Sequence, residues 1–169
     1  MELNDSILSA LNTRNKNYKG TYIRSKAAIL DLHTPIFNFL ENYTPIKGEP
    51  ESKVKTWYGS THKADYKISD TLWLELKYSQ SNYGKNHGNF LNTLYSELDS
   101  PKITSSTCFY IFAVESSLIS QDHVEAWRYL SENYNLLFIL HDAKNQENVY
   151  PFKSCEEWLN EFIRTSKNS

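Results

Sequence analysis

Between His62 and Gln80 the chain reads His-Lys-Ala-Asp-Tyr-Lys-Ile-Ser-Asp-Thr-Leu-Trp-Leu-Glu-Leu-Lys-Tyr-Ser-Gln. Asp65 stands ten positions before Glu75, and Lys77 follows two residues later. Two carboxylates supply the hard oxygen ligands that Mg²⁺ prefers, and the ion keeps its other positions for water and phosphate. Such a metal polarises a phosphate and lowers the pKa of a bound water. A neighbouring ammonium orients that water and offsets charge building on phosphorus. The chemistry these residue types point to is metal-dependent phosphodiester hydrolysis, with Asp65, Glu75 and Lys77 as catalytic residues, the first two as metal ligands, and Mn²⁺ as a substitute for Mg²⁺.

A Glu-x-Lys triplet alone carries little, since about one is expected by chance in a chain of this length. Glu51-Ser-Lys53 is a second match, in a Pro- and Gly-containing connector with no strand pattern beneath it, and is read as a decoy. Strand alternation separates the two. Glu75, Lys77 and Ser79 share one face, and Leu72, Leu74, Leu76 and Tyr78 share the other. With Ser69-Asp70-Thr71 as a three-residue hairpin loop, Ile68 pairs with Leu72, Tyr66 with Leu74 and Ala64 with Leu76, an all-apolar surface. The same register sets Asp65 opposite Glu75, with Cβ atoms about 5 Å apart. A one-residue slip mixes the faces, which burial penalises. Asp70, in the turn, is the second choice for the first carboxylate, with turn chemistry as its ordinary role.

This constellation resembles the motif of the PD-(D/E)XK nuclease superfamily, which includes many type II restriction endonucleases, Holliday-junction resolvases and repair nucleases. The proline that often precedes the first carboxylate is absent, and Ala64 stands there. The resemblance implies a restriction-endonuclease-like αβββαβ core over about residues 21–141 and hydrolysis of DNA. It also implies supporting roles for Ser79 and Gln80, a helix carboxylate from Asp31 or Glu41, and DNA contacts from the loop after the motif. That loop, residues 81–89, offers Asn82, Tyr83, Lys85, Asn86 and His87 for base edges and phosphate. Arg14, Lys16, Lys19 and Arg24 form a second basic stretch suited to phosphate. One centre per chain cuts both strands as a homodimer or by two successive nicks. A methyltransferase or immunity partner fits the same setting. Alternatives are a nuclease toxin domain, a repair or junction-resolving nuclease, an RNase, and a non-catalytic α/β module binding nucleic acid or protein.

The elements that must position these residues are those of a mixed α/β sheet flanked by helices. A short first helix carries Ile7, Leu8 and Leu11, and residues 12–20 read as a basic loop. Ile23, Ala27, Leu30, Phe37 and Leu40 fit a helix that Pro35 kinks or splits. Strands are expected over 54–58, 62–68, 72–79, 108–114 and 135–140, and helices over 89–98, 121–133 and 154–164, with Trp127 and Trp158 on core-facing stripes. His33, His62, His87, His123 and His141 show no zinc spacing, and no P-loop, GxGxxG or Gly-x-Ser-x-Gly elbow occurs.

The 169 residues, 40% hydrophobic and 22% charged, fit one globular domain spanning 1–169 that needs no disulfide framework from Cys108 and Cys155. The net charge of −2 is unevenly spread: residues 1–85 hold twelve Lys/Arg against nine Asp/Glu, and the remainder six against eleven. A basic half allows attraction to a polyanion. No apolar run approaches a membrane span and no signal-peptide pattern opens the chain, so the expectation is a soluble, cytoplasmic protein.

Overall fold

The computed structural model describes residues 1–18, 26–55, 61–80, 108–115, 121–142, 145–150 and 152–169. The helices are α1 (Leu3–Tyr18), α2 (Lys26–Tyr43), α3 (Gln121–Asn133) and α4 (Cys155–Lys167). The strands are β1 (Glu49–Pro50), β2 (Lys53–Lys55), β3 (Thr61–Lys63), β4 (Tyr66–Ser69), β5 (Leu72–Gln80), β6 (Cys108–Glu115), β7 (Leu136–Asp142) and β8 (Glu147–Val149). Six of them form one sheet in the order β1-β4-β5-β6-β7-β8, while β2 and β3 pair separately. β5, β6 and β7 run parallel, and the flanking pairs are antiparallel. This is a mixed α/β domain.

Period-two alternation sorts the central strands onto two cores. Leu72, Leu74 and Leu76 of β5, Phe109, Ile111 and Ala113 of β6, and Leu137 and Ile139 of β7 face α1, α2 and α4. Trp73 of β5, Cys108, Tyr110 and Phe112 of β6, and Leu136 and Phe138 of β7 face Leu130 of α3. Both faces of the parallel strands are covered, which is why β6 and β7 read as unbroken apolar runs. Trp158 is fully buried against Phe109 and Phe162, as its stripe predicts, and its indole N–H reaches the Asn135 carbonyl at 3.2 Å. The side chain of Trp127 lies outside the described residues. No helix among the described residues is long and apolar enough to cross a membrane.

Several expectations need correction. Residues 12–18 continue α1, so the basic stretch begins on a helix: Asn, Thr, Arg and Lys all tolerate helical backbone, and no Gly or Pro interrupts before Gly20. Pro35 does not split α2, which runs from Lys26 to Tyr43 with the proline inside it. The motif hairpin closes more tightly than expected. Tyr66 does pair with Leu74 and Lys67 with Trp73, but Ser69 rather than Ile68 faces Leu72, with a register irregularity between 67 and 69. The turn shrinks to Asp70-Thr71 because the Ser69 hydroxyl accepts the Thr71 N–H at 3.2 Å, leaving Ile68 as the extra residue. Asp70 caps the hairpin in an ion pair with Lys67 at 2.8 Å. Ala64 does not pair with Leu76. The strand breaks at 64–65, β3 pairs with β2 instead, and Ala64 packs with Val54 and Trp73 on the α3 side. The helix expected over 89–98 lies outside the described residues.

Candidate active site

The break at Asp65 creates the site. β4 leaves β5 at this residue, so the N–H of Leu76 loses the strand partner it would have had. The Asp65 carboxylate replaces it, Oδ2 accepting that N–H at 2.7 Å. Covalent bond lengths then put this oxygen within ~5.5 Å of the Cα of Glu75. The Asp65 backbone is fixed from the other side: its carbonyl accepts the Glu51 N–H at 2.8 Å, and the Ala64 N–H bonds the Ser52 carbonyl at 2.9 Å. Asp65 is half-buried and Lys77 likewise, while Glu75 is only 3% exposed. Glu75 shares the face of Trp73, against the Cys108–Tyr110 wall of β6. The expected cross-strand pairing of Asp65 with Glu75 is not formed: the hairpin ladder ends at Tyr66 opposite Leu74, and Asp65 reaches β5 through its side chain instead.

Two neighbouring groups register this cluster electrostatically. Burial pushes the Cys108 thiol well up, and Glu75 raises it further; a Tyr110 hydrogen bond opposes, Asp65 adds, and Lys77 subtracts. Burial lowers His33, which the negative charges of Asp65 and Glu51 counter and Lys77 reinforces. Asp65, Glu75 and Lys77 thus all act on Cys108, and Asp65 and Lys77 also act on His33. The His33 ring leans on Phe37 at 5.5 Å, and Phe37 stacks on Tyr66 at 4.7 Å, so α2 is held against the residue that follows Asp65.

The donor set suits one class of ion. A donor set of two carboxylates is within the habit of Mg²⁺, which takes few protein ligands. Asp65 Oδ1 and the Glu75 carboxylate are the oxygens that could hold it. The Cys108 sulfur stays protonated and offers no thiolate. Among the described residues no group of three or more His, Cys, Asp or Glu side chains is placed to hold a metal.

Of the other residues singled out from sequence, Glu41 is exposed near the end of α2 and lines a cleft with His33 and Glu51. Ser79 and Gln80 pair with Val114 and Glu115 in the sheet, but their side chains lie outside the described residues, as do those of Asp31, Arg14 and Lys16. Lys19, Arg24, Asn82, Tyr83, Lys85, Asn86 and His87 lie wholly outside them. Two residues of the neighbourhood were not expected. His33 had a legible signal: with Ile36, Phe37 and Leu40 it occupies the i, i+3, i+4, i+7 stripe of a buried helix face, where an imidazole is out of place. Glu51 had none, because its approach depends on the chain turning back between β1 and β2, where its φ of 50° is left-handed. No family model matches the chain, nor does any curated protein or solved structure.

Proposed function

We propose that the protein is a Mg²⁺-dependent endonuclease hydrolysing DNA phosphodiester bonds, of a restriction-endonuclease-like αβββαβ arrangement. The observation that carries this reading is the Asp65 carboxylate seated on the Leu76 N–H, between Glu75 and Lys77 on one strand. The mixed sheet behind this reading places the antiparallel set β1-β4-β5 after α2 and the parallel strands β6 and β7 beyond it. Asp65 and Glu75 would hold the ion. When bound, the metal supplies Lewis-acid polarisation of the phosphate and acidifies an attacking water.

The chain's own residues contribute the rest. The Leu76 N–H fixes the Asp65 carboxylate through Oδ2, so the first ligand is positioned before substrate arrives. Burial of Glu75 puts its charge in a low-dielectric setting where attraction to a divalent cation is strong. Lys77, two residues along β5 on the same face, supplies a positive charge for the water and for the negative charge that grows on the phosphoryl oxygens. A homodimer, one centre per strand, is the arrangement proposed for double-strand cutting.

A second reading has an observation of its own. With no third metal-ligating side chain among the described residues, Asp65 could serve only to cap the Leu76 N–H in a non-catalytic binding module. Incubation of the protein with plasmid, branched DNA and RNA in Mg²⁺ decides between the two. The expected result is DNA cleavage that EDTA stops and that E75A and K77A each abolish. Full activity in either variant, or no saturable Mg²⁺ or Mn²⁺ binding heat that depends on Asp65, refutes the endonuclease.

A further inference from the structure

Beside the Asp65–Glu75–Lys77 cluster a cleft of about 320 Å³ opens between α2 and the turn after β1. Pockets for small organic ligands begin at roughly this size. Its flat walls are the ring of His33, the ring of Phe37 and the pyrrolidine of Pro50; its polar walls include Asn38, Glu41 and Glu51. Among the described residues no lysine or arginine lines it, so its carboxylates disfavour a phosphate there. A planar ligand with hydrogen-bond donors at its edge is what this lining accepts.

Each wall has a defined state. Glu41 and Glu51 are exposed carboxylates with acceptor oxygens only. Glu51 Oε2 is engaged by Lys63 at 3.2 Å, and its Oε1 has no ion pair among the described residues. His33 is more than nine-tenths buried yet forms part of the lining, and no other described side chain hydrogen-bonds to it. Burial favours its neutral form, in which one ring nitrogen donates and the other accepts. Because the N–H of Glu51, a wall residue, bonds the Asp65 carbonyl at 2.8 Å, a ligand in the cleft lies next to Asp65.

We propose that this cleft receives an unpaired nucleobase bearing an exocyclic amino group, held by Glu41, Glu51 and Asn38 beside the His33 ring, with its phosphate directed to Asp65, Glu75 and Lys77. The proposal rests on the endonuclease reading and deepens it by naming the substrate class. A carboxylate accepts from an exocyclic amine, as acidic side chains do from cytosine N4. Thymine has no exocyclic amine, and its single N3–H lies between two carbonyl oxygens that the carboxylates repel, so it is disfavoured. A base inside a duplex cannot enter, so the substrate is single-stranded or has its base turned out of the stack.

Fluorescence anisotropy with labelled oligo-dC, oligo-dA and oligo-dT, in Ca²⁺ instead of Mg²⁺, tests this. The wild type is expected to bind oligo-dC and oligo-dA at least ~10-fold more tightly than oligo-dT, about 1.4 kcal/mol. The doubly substituted variant E41Q/E51Q, altered only at exposed positions and checked by thermal melting, is expected to bring that ratio below about threefold. Equal binding to all three strands, no binding to any, or a preference untouched in E41Q/E51Q overturns the proposal. A parallel Mg²⁺ digestion of single-stranded and plasmid DNA keeps the two readings apart. Cleavage without base preference removes the cleft assignment and leaves the endonuclease, whereas base preference without cleavage does the reverse.

Discussion

Asp65 caps the Leu76 N–H in the structure and binds metal in the proposed function, and a pair of substitutions divides the two roles. Its carboxylate satisfies the N–H of Leu76 at 2.7 Å in a half-buried position, a charge-assisted bond of about 1.5–3 kcal/mol. Alanine at 65 leaves that N–H without its acceptor, at a cost of about 2 kcal/mol. In a chain of 169 residues each kcal/mol moves Tm by roughly 2–4 °C, so D65A is expected to melt ~4–8 °C lower. Asparagine keeps an acceptor oxygen at nearly the same place and loses only the charge, so D65N is expected within ~1 kcal/mol of the wild type. In the proposed endonuclease both variants would lose a metal ligand, and removal of several kcal/mol of Lewis-acid stabilisation is expected to drop cleavage by about 10³-fold or more. The decisive measurement is D65N by calorimetry and by plasmid cleavage in Mg²⁺. A folded, inactive D65N supports the division. A D65N that cleaves like the wild type refutes the metal role, and a D65A as stable as the wild type refutes the capping role.

Three further outcomes follow from geometry elsewhere. A methyl group at Gly48 would stand 2.5 Å from a Tyr66 ring carbon and 2.7 Å from the Lys67 carbonyl, so G48A is expected to lose about 1–3 kcal/mol, read as a lowered denaturation midpoint. Ser154 caps α4 reciprocally with Glu157, at 3.1 and 3.0 Å, and S154A is expected to cost ~1 kcal/mol in the same measurement. Burial pushes the Cys155 thiol up to about 12 and the Cys108 thiol well up, so neither should react with Ellman's reagent in the native protein near pH 8, where Cys155 is thiolate to only ~1 part in 10⁴. The sign for stability is set by the same shift. Below the ordinary thiol pKa of 9.0 both states keep the proton and nothing is lost; as pH climbs toward 12 the unfolded chain sheds a proton that folded Cys155 retains, and stability falls.

The α/β layering was legible because burial on both faces leaves a plain trace. β6 and β7 are apolar runs of strand length, α3 starts and ends where its periodicity does, and Trp158 and Phe162 sit on one stripe of α4. The hairpin register was legible for Tyr66 and Lys67, where side-chain size and alternation agree. It failed at Ile68 and Ala64 for two different reasons. At Ile68 a hydroxyl-to-backbone bond inside the turn outweighed one apolar cross-strand pair, and Ile68 still packs on the core from its bulged position. At Ala64 the competing interaction was remote: Ser52, twelve residues upstream, accepts the Ala64 N–H, and no local pattern announces that pairing.

That remote pairing is also what makes the acidic cluster more than two carboxylates on neighbouring strands. Had β4 continued straight through 65, the Leu76 N–H would bond strand backbone and the Asp65 side chain would merely project from a pleat. The chain instead bends toward Ser52 and Glu51, and the carboxylate must swing onto β5 to satisfy the N–H left behind. Glu51, at the turn between β1 and β2 whose Lys53 starts β2, takes part through its backbone N–H rather than through the chemistry its spacing suggests. Alternation thus selects which acidic residues share a face, but the long-range contact between the β1 turn and residue 65 sets where the first carboxylate oxygen points. Disturbing that contact at Ser52 or Glu51 should therefore displace Asp65 while leaving Glu75 and Lys77, on an intact β5, where they are.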